Sequence, residues 1–262
     1  MEKVKDDLYL IHNVQNTLSG IGQFGSNVIV YLTDDGIILI DSKNAMMHNF
    51  LVSEIRSISQ QPIRYLVLTH NHLDHAGGAA ALQRMGVTEI ISTEDRALLE
   101  QDSHPPVLPQ IAYHGHMQFF LGGKEVELHE VCGHTAGDSI VYLPGDRAVM
   151  SGDLVTTPDA IPQIVNYGDH GSWTDELRAM DVLAKMDFDI MIPGHGPVLT
   201  KAAFLKQRAR MTAIFATVKA LTRQGRSQQA IIQVLIKKYD YGFANGAGQV
   251  AGMMQEARAS TQ

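Results

Sequence analysis

Cysteine is nearly absent from this 262-residue chain, in which Cys132 is the only one. A single cysteine cannot form an intramolecular disulfide, and it cannot supply the thiolates of a cysteine-based zinc finger. Long apolar runs are also missing, since none approaches the roughly 18 residues that a membrane helix requires. The N-terminus is charged and has no apolar segment behind it, so we expect a cytoplasmic protein. A signal peptide removed before residue 1 would leave no trace, which keeps a periplasmic location open.

Runs of basic side chains are scarce as well. Lys and Arg number 21 against 28 Asp and Glu, which gives a formal net charge of −7. A nucleic-acid partner demands a basic face and a membrane surface attracts polybasic patches, so neither partner is expected. Hydrophobic residues make up 45% of the chain and charged residues 19%, as in ordinary globular proteins. The length allows one large domain or two modest ones.

Metal-binding side chains are concentrated in one short segment. Residues 69–75 read THNHLDH and follow an apolar run that is predicted to be a buried strand. His and Asp bind zinc and related divalent metals. His70 and His72 are alternate residues at a strand end and can point to one side. Asp74 and His75 come where the chain turns toward a helix, so they can face a second position. A polar turn with Asp74 as a helix cap is the ordinary alternative, but so dense a group of ligands disfavours it.

Strand and helix patterns alternate through most of the chain, which indicates two sheets flanked by helices in a layered α/β arrangement. Residues 101–116 and 156–171 lack a regular pattern. We expect a core domain of residues 1–199 and a helical extension, residues 200–262, packed on it without a flexible linker. Strands are predicted at 8–12, 27–32, 37–40, 63–68, 89–92, 118–121, 125–131, 139–143, 148–151 and 189–192. Helices are predicted at 45–59, 79–85, 172–186, 205–223, 228–239 and 247–259, and a short helix is predicted to begin near residue 93.

Three later motifs also place a metal-binding side chain among glycines after a predicted strand. They read CGHTAGD at 132–138, SGD at 151–153 and PGHG at 193–196. Glycine permits sharp turns and close backbone approach, and loops at strand ends commonly carry catalytic groups. Each motif is weak alone, because Gly-His and Gly-Asp pairs are common in turns. In this order after the first motif, they are strong evidence for a metal site.

Together the four motifs resemble the signature of the metallo-β-lactamase superfamily of hydrolases. That signature is His-x-His-x-Asp-His followed by a Gly-His, a Gly-Asp and a final Gly-His, and the match spans residues 27–198. The resemblance implies a four-layer αβ/βα sandwich and two metal ions per chain. Zinc is the expected metal, and iron or manganese are the alternatives. The implied ligands are His70, His72 and His134 for one metal and Asp74, His75 and His195 for the other, with Asp153 bridging both.

This ligand set implies a hydrolase that acts on a small molecule. Metal coordination lowers the pKa of water from 15.7 to about 7, so a metal-bridging hydroxide would attack the carbonyl of an ester, thioester, lactone or β-lactam. Asp74 would relay a proton to the leaving group. His75 stands where some β-lactamases have Arg, and Asp153 stands where others have Cys or Ser. The pattern is therefore more similar to glyoxalase II, the lactonases and esterase-like members.

Several features stay open at this point. A persulfide dioxygenase of the same fold, with one iron held by two His and an Asp, is the alternative reading. The C-terminal helices are expected to pack on the core or to pair subunits in a homo-oligomer. His12, His48 and His129 are predicted to face solvent or to satisfy local hydrogen bonds. An ordinary surface loop is predicted for His104, His114 and His116, with a loop lid over the site as the alternative. Candidate substrate contacts in loops near the motifs are Phe24, Tyr167, His170 and Trp173.

Overall fold

The computed structural model describes residues 1–12, 24–102, 107–156, 163–241 and 246–259. Its strands form two mixed sheets, one of seven strands in the order β1 to β7 and one of six in the order β13-β12-β11-β10-β9-β8. The first sheet contains β1 (Glu2–Lys3), β2 (Leu8–Ile11), β3 (Val28–Thr33), β4 (Gly36–Ile40), β5 (Ile63–Val67), β6 (Thr88–Ser92) and β7 (Ile111–Tyr113). The second contains β8 (His116–Leu121), β9 (Lys124–Val131), β10 (Asp138–Leu143), β11 (Ala148–Met150), β12 (Ile190–Ile192) and β13 (Leu199–Thr200).

Helices cover the outer faces of both sheets, which produces the expected αβ/βα sandwich. One apolar core lies between the sheets, where β3, β4 and β5 face β9, β10 and β11. Another apolar core lies between the seven-stranded sheet and its helices. The last lies between the six-stranded sheet and its helices. The helices are α1 (His48–Ile58), α2 (Leu73–Ala76), α3 (Ala79–Arg84), α4 (Thr93–Gln101), α5 (Trp173–Lys185), α6 (Lys201–Arg223), α7 (Gln228–Tyr239) and α8 (Gly246–Ala259).

The central strands are apolar on both faces because both faces are covered. Every residue of β4 is buried, and it pairs with β3 on one side and in parallel with β5 on the other. Continuous apolar runs of this kind are typical of strands between two layers. The strand predictions near the motifs are thereby confirmed, and β5 delivers residues 69–75 to one edge of the sandwich.

The C-terminal helices share an apolar core with the rest of the chain. Trp173 at the start of α5 stacks on Phe215 of α6, with ring centroids 6.3 Å apart, and meets Tyr241 edge to face at 6.2 Å. Ile231 and Leu235 of α7 are fully buried in this cluster, whereas the adjacent Ile236 is 40% exposed. Within the described residues, no helix is long and apolar enough to cross a membrane.

The prediction of irregular structure through residue 116 was wrong in part. Ile111–Tyr113 forms β7, and His116 begins β8. The prolines that suggested a loop all precede residue 110, and backbone pairing of β7 with β6 supplies order that local propensity does not show. Of the other segment expected to be irregular, residues 157–162 lie outside the described part of the chain.

Candidate metal centre

Four loops meet at one edge of the sandwich, each directly following or preceding a strand. Backbone hydrogen bonds tie them together. Gly194 N donates to Gly152 O at 2.8 Å, and Asn27 N donates to Gly194 O at 2.8 Å. Ser139 N donates to Thr69 O at 2.7 Å, which joins the two sheets beside the first motif. The motifs, far apart in sequence, are therefore held in one rigid network.

The first ligand set is His70, His72 and His134, whose candidate ligand atoms lie within 4.8 Å of one another. His134 Nε2 lies 3.0 Å from His72 Nδ1. The opposite ring nitrogens are engaged elsewhere: His72 Nε2 faces Asp169 Oδ2 at 2.9 Å, and His134 Nδ1 faces the Ile164 carbonyl at 2.7 Å. These partners determine ring orientation, so each imidazole presents its other nitrogen to a common point.

The second ligand set is Asp74, His75, Asp153 and His195, also within 4.8 Å. His195 Nε2 lies 3.1 Å from Asp74 Oδ2 and 3.3 Å from Asp153 Oδ1, and His75 Nε2 lies 3.3 Å from the same Asp153 oxygen. The other oxygen of Asp153 lies 3.8 Å from His134 Nε2 in the first set. One carboxylate therefore reaches both groups of ligands.

The electrostatics of these side chains suit cations. Burial lowers the pKa of His70 well below its usual range and lowers that of His134 to about 4. Neutral imidazoles are the form that binds metal. In the second set, despite burial, Asp153 raises the pKa of His75 well above its usual range and that of His195 to about 8. Burial opposes ionisation of Asp153, but His195 and His75 outweigh it and hold the pKa of that carboxyl well below its usual range.

The donor set fits divalent cations. The Nε2 atom of His70 is buried and makes no hydrogen bond to any residue that the structure describes. A buried polar atom without a partner is costly, and a cation between the three imidazoles would satisfy it. Imidazole with carboxylate is a ligand combination that zinc accepts.

Two supporting carboxylates are not marked by any motif. Asp41 directly follows β4 and has a positive φ of 65°; its Oδ2 lies 2.7 Å from His75 Nδ1, and its Oδ1 accepts from Thr69 N at 2.8 Å. Asp169 supports His72 in the same way. The only sequence signal for Asp41 is a lone acid at the end of an apolar strand, which is too common to identify a role.

The predicted substrate contacts lie in different environments. Trp173 is fully buried and its Nε1 donates to Gln249 Oε1 at 2.9 Å, which argues against direct substrate contact, and its role stays a prediction. Tyr167 is half-buried and donates to Glu256 Oε1 at 2.9 Å. His170 is exposed and lines a cavity of about 400 Å³ together with His72, Asp169, Leu73 and Leu98. Phe24 is half-buried, and Phe24, Tyr167 and His170 stay predictions.

Comparison with known proteins gives the family. A family model described as the metallo-beta-lactamase superfamily matches residues 21–195. The chain belongs to this superfamily, whose members are generally metallohydrolases.

Individual relatives are similar at modest identity. The metallo-beta-lactamase type 2 of Elizabethkingia meningoseptica is 26% identical over 163 residues, which is 61% of this chain and 64% of that protein. The match therefore spans less than two thirds of that relative. A hydroxyacylglutathione hydrolase of Ruegeria pomeroyi is 38% identical over 88 residues, which is 33% of this chain and 31% of that protein.

The fold is likewise shared with solved structures. A metallo-beta-lactamase from Pontibacter korlensis superposes with a TM-score of 0.65 at 26% identity, covering 71% of this chain and 87% of that one. The DIM-1 metallo-beta-lactamase superposes with a TM-score of 0.66 at 21% identity, covering 81% and 96%, which shows likeness of fold alone. None of these relatives favours the persulfide dioxygenase alternative.

Proposed function

We propose that this chain is a dinuclear metal-dependent hydrolase that cleaves a small-molecule ester, thioester, lactone or β-lactam. The observation that carries the proposal is the position of Asp153. Its Oδ1 lies 3.3 Å from His75 Nε2 and from His195 Nε2, and its Oδ2 lies 3.8 Å from His134 Nε2. A carboxylate that reaches two ligand sets is what a pair of neighbouring cations requires.

The two sets would hold one ion each. His70, His72 and His134 would bind the first, and Asp74, His75 and His195 the second, with Asp153 shared. Zinc suits this mixture of imidazole and carboxylate, and iron or manganese are the alternatives. A bound pair would supply a hydroxide at neutral pH and polarise the carbonyl that it attacks.

The protein's own groups orient these ligands and handle the leaving group. Asp41 and Asp169 hold His75 and His72 through their other ring nitrogens. Asp74 is the more accessible of the two carboxylates, since 18% of its side chain is exposed against 12% for Asp153. Burial opposes its ionisation, but His75 and His195 keep the pKa of Asp74 below its usual value. An ionised Asp74 can take a proton from the attacking water, and we assign it the relay of that proton toward the departing group.

The ligands and the relatives together support the proposed substrate class. Relatives named as metallo-beta-lactamase and as hydroxyacylglutathione hydrolase both support a carbonyl substrate. His75 and Asp153 stand where many β-lactamases carry other residues, so we place the principal activity with esters, thioesters or lactones and β-lactam cleavage as a side activity.

Location and assembly remain proposals. We infer a cytoplasmic enzyme from the sequence. Pairing through the C-terminal helices would rest on side chains such as Leu205 and Ile236, which are 39% and 40% exposed, because the more central apolar residues of these helices are buried within the chain. Light scattering of the purified protein measures the oligomeric state.

The test is a panel of lactones, thioesters, β-lactams and phosphodiesters against zinc-loaded protein. We expect turnover of at least one carbonyl substrate and two zinc ions per chain. Asp153→Ala and His72→Ala should each lower kcat/KM by at least about a hundredfold, since the metal supplies several kcal/mol of transition-state stabilisation. The exposed Asp187→Asn is the matched control and should be unchanged. Full activity in both ligand variants, or one iron with oxygen consumption on a persulfide, contradicts the proposal.

A further inference from the structure

A second group of metal-binding side chains lies on the outer face of the second sheet. His116 begins β8, and Glu127 and His129 lie in β9. This group shares no residue with the two ligand sets of the central site.

Strand register brings the three side chains together. His116 and His129 are direct partners across the antiparallel β8–β9 pair, and facing residues have Cβ atoms about 5 Å apart. Glu127 is two residues from His129, and alternate residues of a strand share a face. The two imidazole centroids are 4.7 Å apart, so the rings stand side by side above the sheet.

The separations fit tetrahedral coordination. His129 Nε2 lies 3.3 Å from Glu127 Oε2, and His116 Nε2 lies 4.0 Å from the same oxygen. Zinc binds nitrogen and oxygen at about 2.1 Å, which places neighbouring ligands of a tetrahedron about 3.4 Å apart. All three candidate ligand atoms lie within 4.8 Å of one another, which is close to that spacing.

The environment supports a ligand role more than a simple surface ion pair. The inward residues Met117 and Phe119 pack on the core between the sheets, which anchors the backbone beneath the cluster. The His129 side chain is 29% exposed and Glu127 is 24% exposed, so an ion can reach them and keep a water molecule.

A neighbouring cluster of Glu94, His114 and Glu130 is less suited to a metal. The Glu130 carboxylate already accepts from Gly115 N at 2.6 Å and lies 2.8 Å from His114 Nδ1. His114 is the only imidazole in that cluster, and 79% of its side chain is exposed.

We propose that His116, Glu127 and His129 form a separate surface site for one divalent transition-metal ion. Zinc is the expected occupant, with water in the fourth position, and nickel or copper fit the same imidazole-rich donors. The bound ion would link the edge strand β8 to β9. With three ligands on an open face, it binds more weakly than ions in the buried centre.

The test counts zinc in the full chain. Wild-type protein is equilibrated against buffered free Zn²⁺, and bound zinc is measured by elemental analysis, with titration calorimetry for affinity. We expect the wild type to bind one zinc ion more than His116→Ala, Glu127→Gln or His129→Ala. In each variant the zinc affinity of this site should be at least about tenfold lower. Resonances of the His116 and His129 rings in long-range ¹H–¹⁵N NMR spectra should shift when this last ion binds.

His114→Ala is the matched control, because it removes an exposed histidine two positions from His116 and leaves the site intact. It should bind as many zinc ions as the wild type, and the hydrolytic activity should be the same in all four variants. The proposal is overturned if the double variant His116→Ala/His129→Ala binds as much zinc as the wild type. It is also overturned if His114→Ala loses the ion assigned to this surface site. Because the readout is a difference in zinc content, it does not depend on whether the central site is hydrolytic.

Discussion

His75 and Asp41 form a hydrogen-bonded pair in which both side chains are fully buried, with Nδ1 and Oδ2 2.7 Å apart. The same carboxylate accepts from the backbone N and the hydroxyl of Thr69. Asp41 therefore determines the orientation of a candidate ligand and of the loop that carries it. Such carboxylate–histidine pairs align the ligand and increase its basicity.

Replacing Asp41 should weaken the second ligand set. Asp41→Asn preserves the shape of the side chain, and Asn tolerates the positive φ of 65° at this position. We expect zinc affinity at this set to fall by about 10- to 100-fold, because the supporting negative charge is lost. Competition with a chromophoric chelator measures the change. The exposed Asp187→Asn should leave affinity unaltered, and an unaltered affinity in Asp41→Asn would contradict the role assigned to this pair.

Gly194 should be essential to the shared carboxylate. A Cβ atom added there would clash with Asp153 Oδ1 and would lie 2.8 Å from the Gly152 backbone, so Gly194→Ala must displace one of them. We expect the variant to lose at least one metal equivalent and to lower kcat/KM at least about a hundredfold. Gly145→Ala is the control, since a Cβ there has no neighbour within 4 Å. Metal content and kcat/KM are measured for both variants. Equal values in Gly194→Ala and Gly145→Ala would contradict the prediction.

Glu89 should make stability depend on pH. It is fully buried in β6, and burial raises its pKa to about 7 from 4.5, despite a hydrogen bond from Gln83. The folded state binds the proton more tightly than the unfolded chain. The stability that Glu89 contributes is therefore complete below about pH 4.5 and is lost as the pH rises to about 7. The free energy of unfolding should fall by at most about 3 kcal/mol over this range.

Glu89→Gln removes this titration. The stability of the variant relative to the wild type should be greater at pH 8 than at pH 5, because only the wild type must bury an ionised carboxylate at the higher pH. Urea unfolding at the two pH values gives the difference in unfolding free energy. A difference that is the same at both would show that Glu89 does not titrate in this range.

Trp173 should matter for stability and not for catalysis. Trp173→Phe keeps an aromatic ring against Phe215 but removes the hydrogen bond from Nε1 to Gln249 Oε1. We expect a loss of about 1 to 3 kcal/mol in unfolding free energy and kcat/KM within about twofold of the wild type. Chemical denaturation and steady-state kinetics test both parts. A selective change in KM would restore the substrate role that burial argues against.

The fold was predictable where local pattern and tertiary environment agree. Apolar runs such as that of β4 are buried on both faces, so composition alone indicates a central strand. The short β7 was missed because its three residues gain order only by pairing with β6. The boundary between core and helical extension stays a prediction, although the helices share a core with Trp173.

The amino-acid sequence by itself determined the donor chemistry of this protein. The sequence carries imidazoles and carboxylates at positions 70–75, 134, 153 and 195, and their order identifies the family. Only the tertiary structure showed that Asp41 supports His75, that Asp169 supports His72 and that Trp173 is buried. These depend on contacts between residues far apart in the chain, where side-chain direction follows from how the two sheets pack and not from any local pattern.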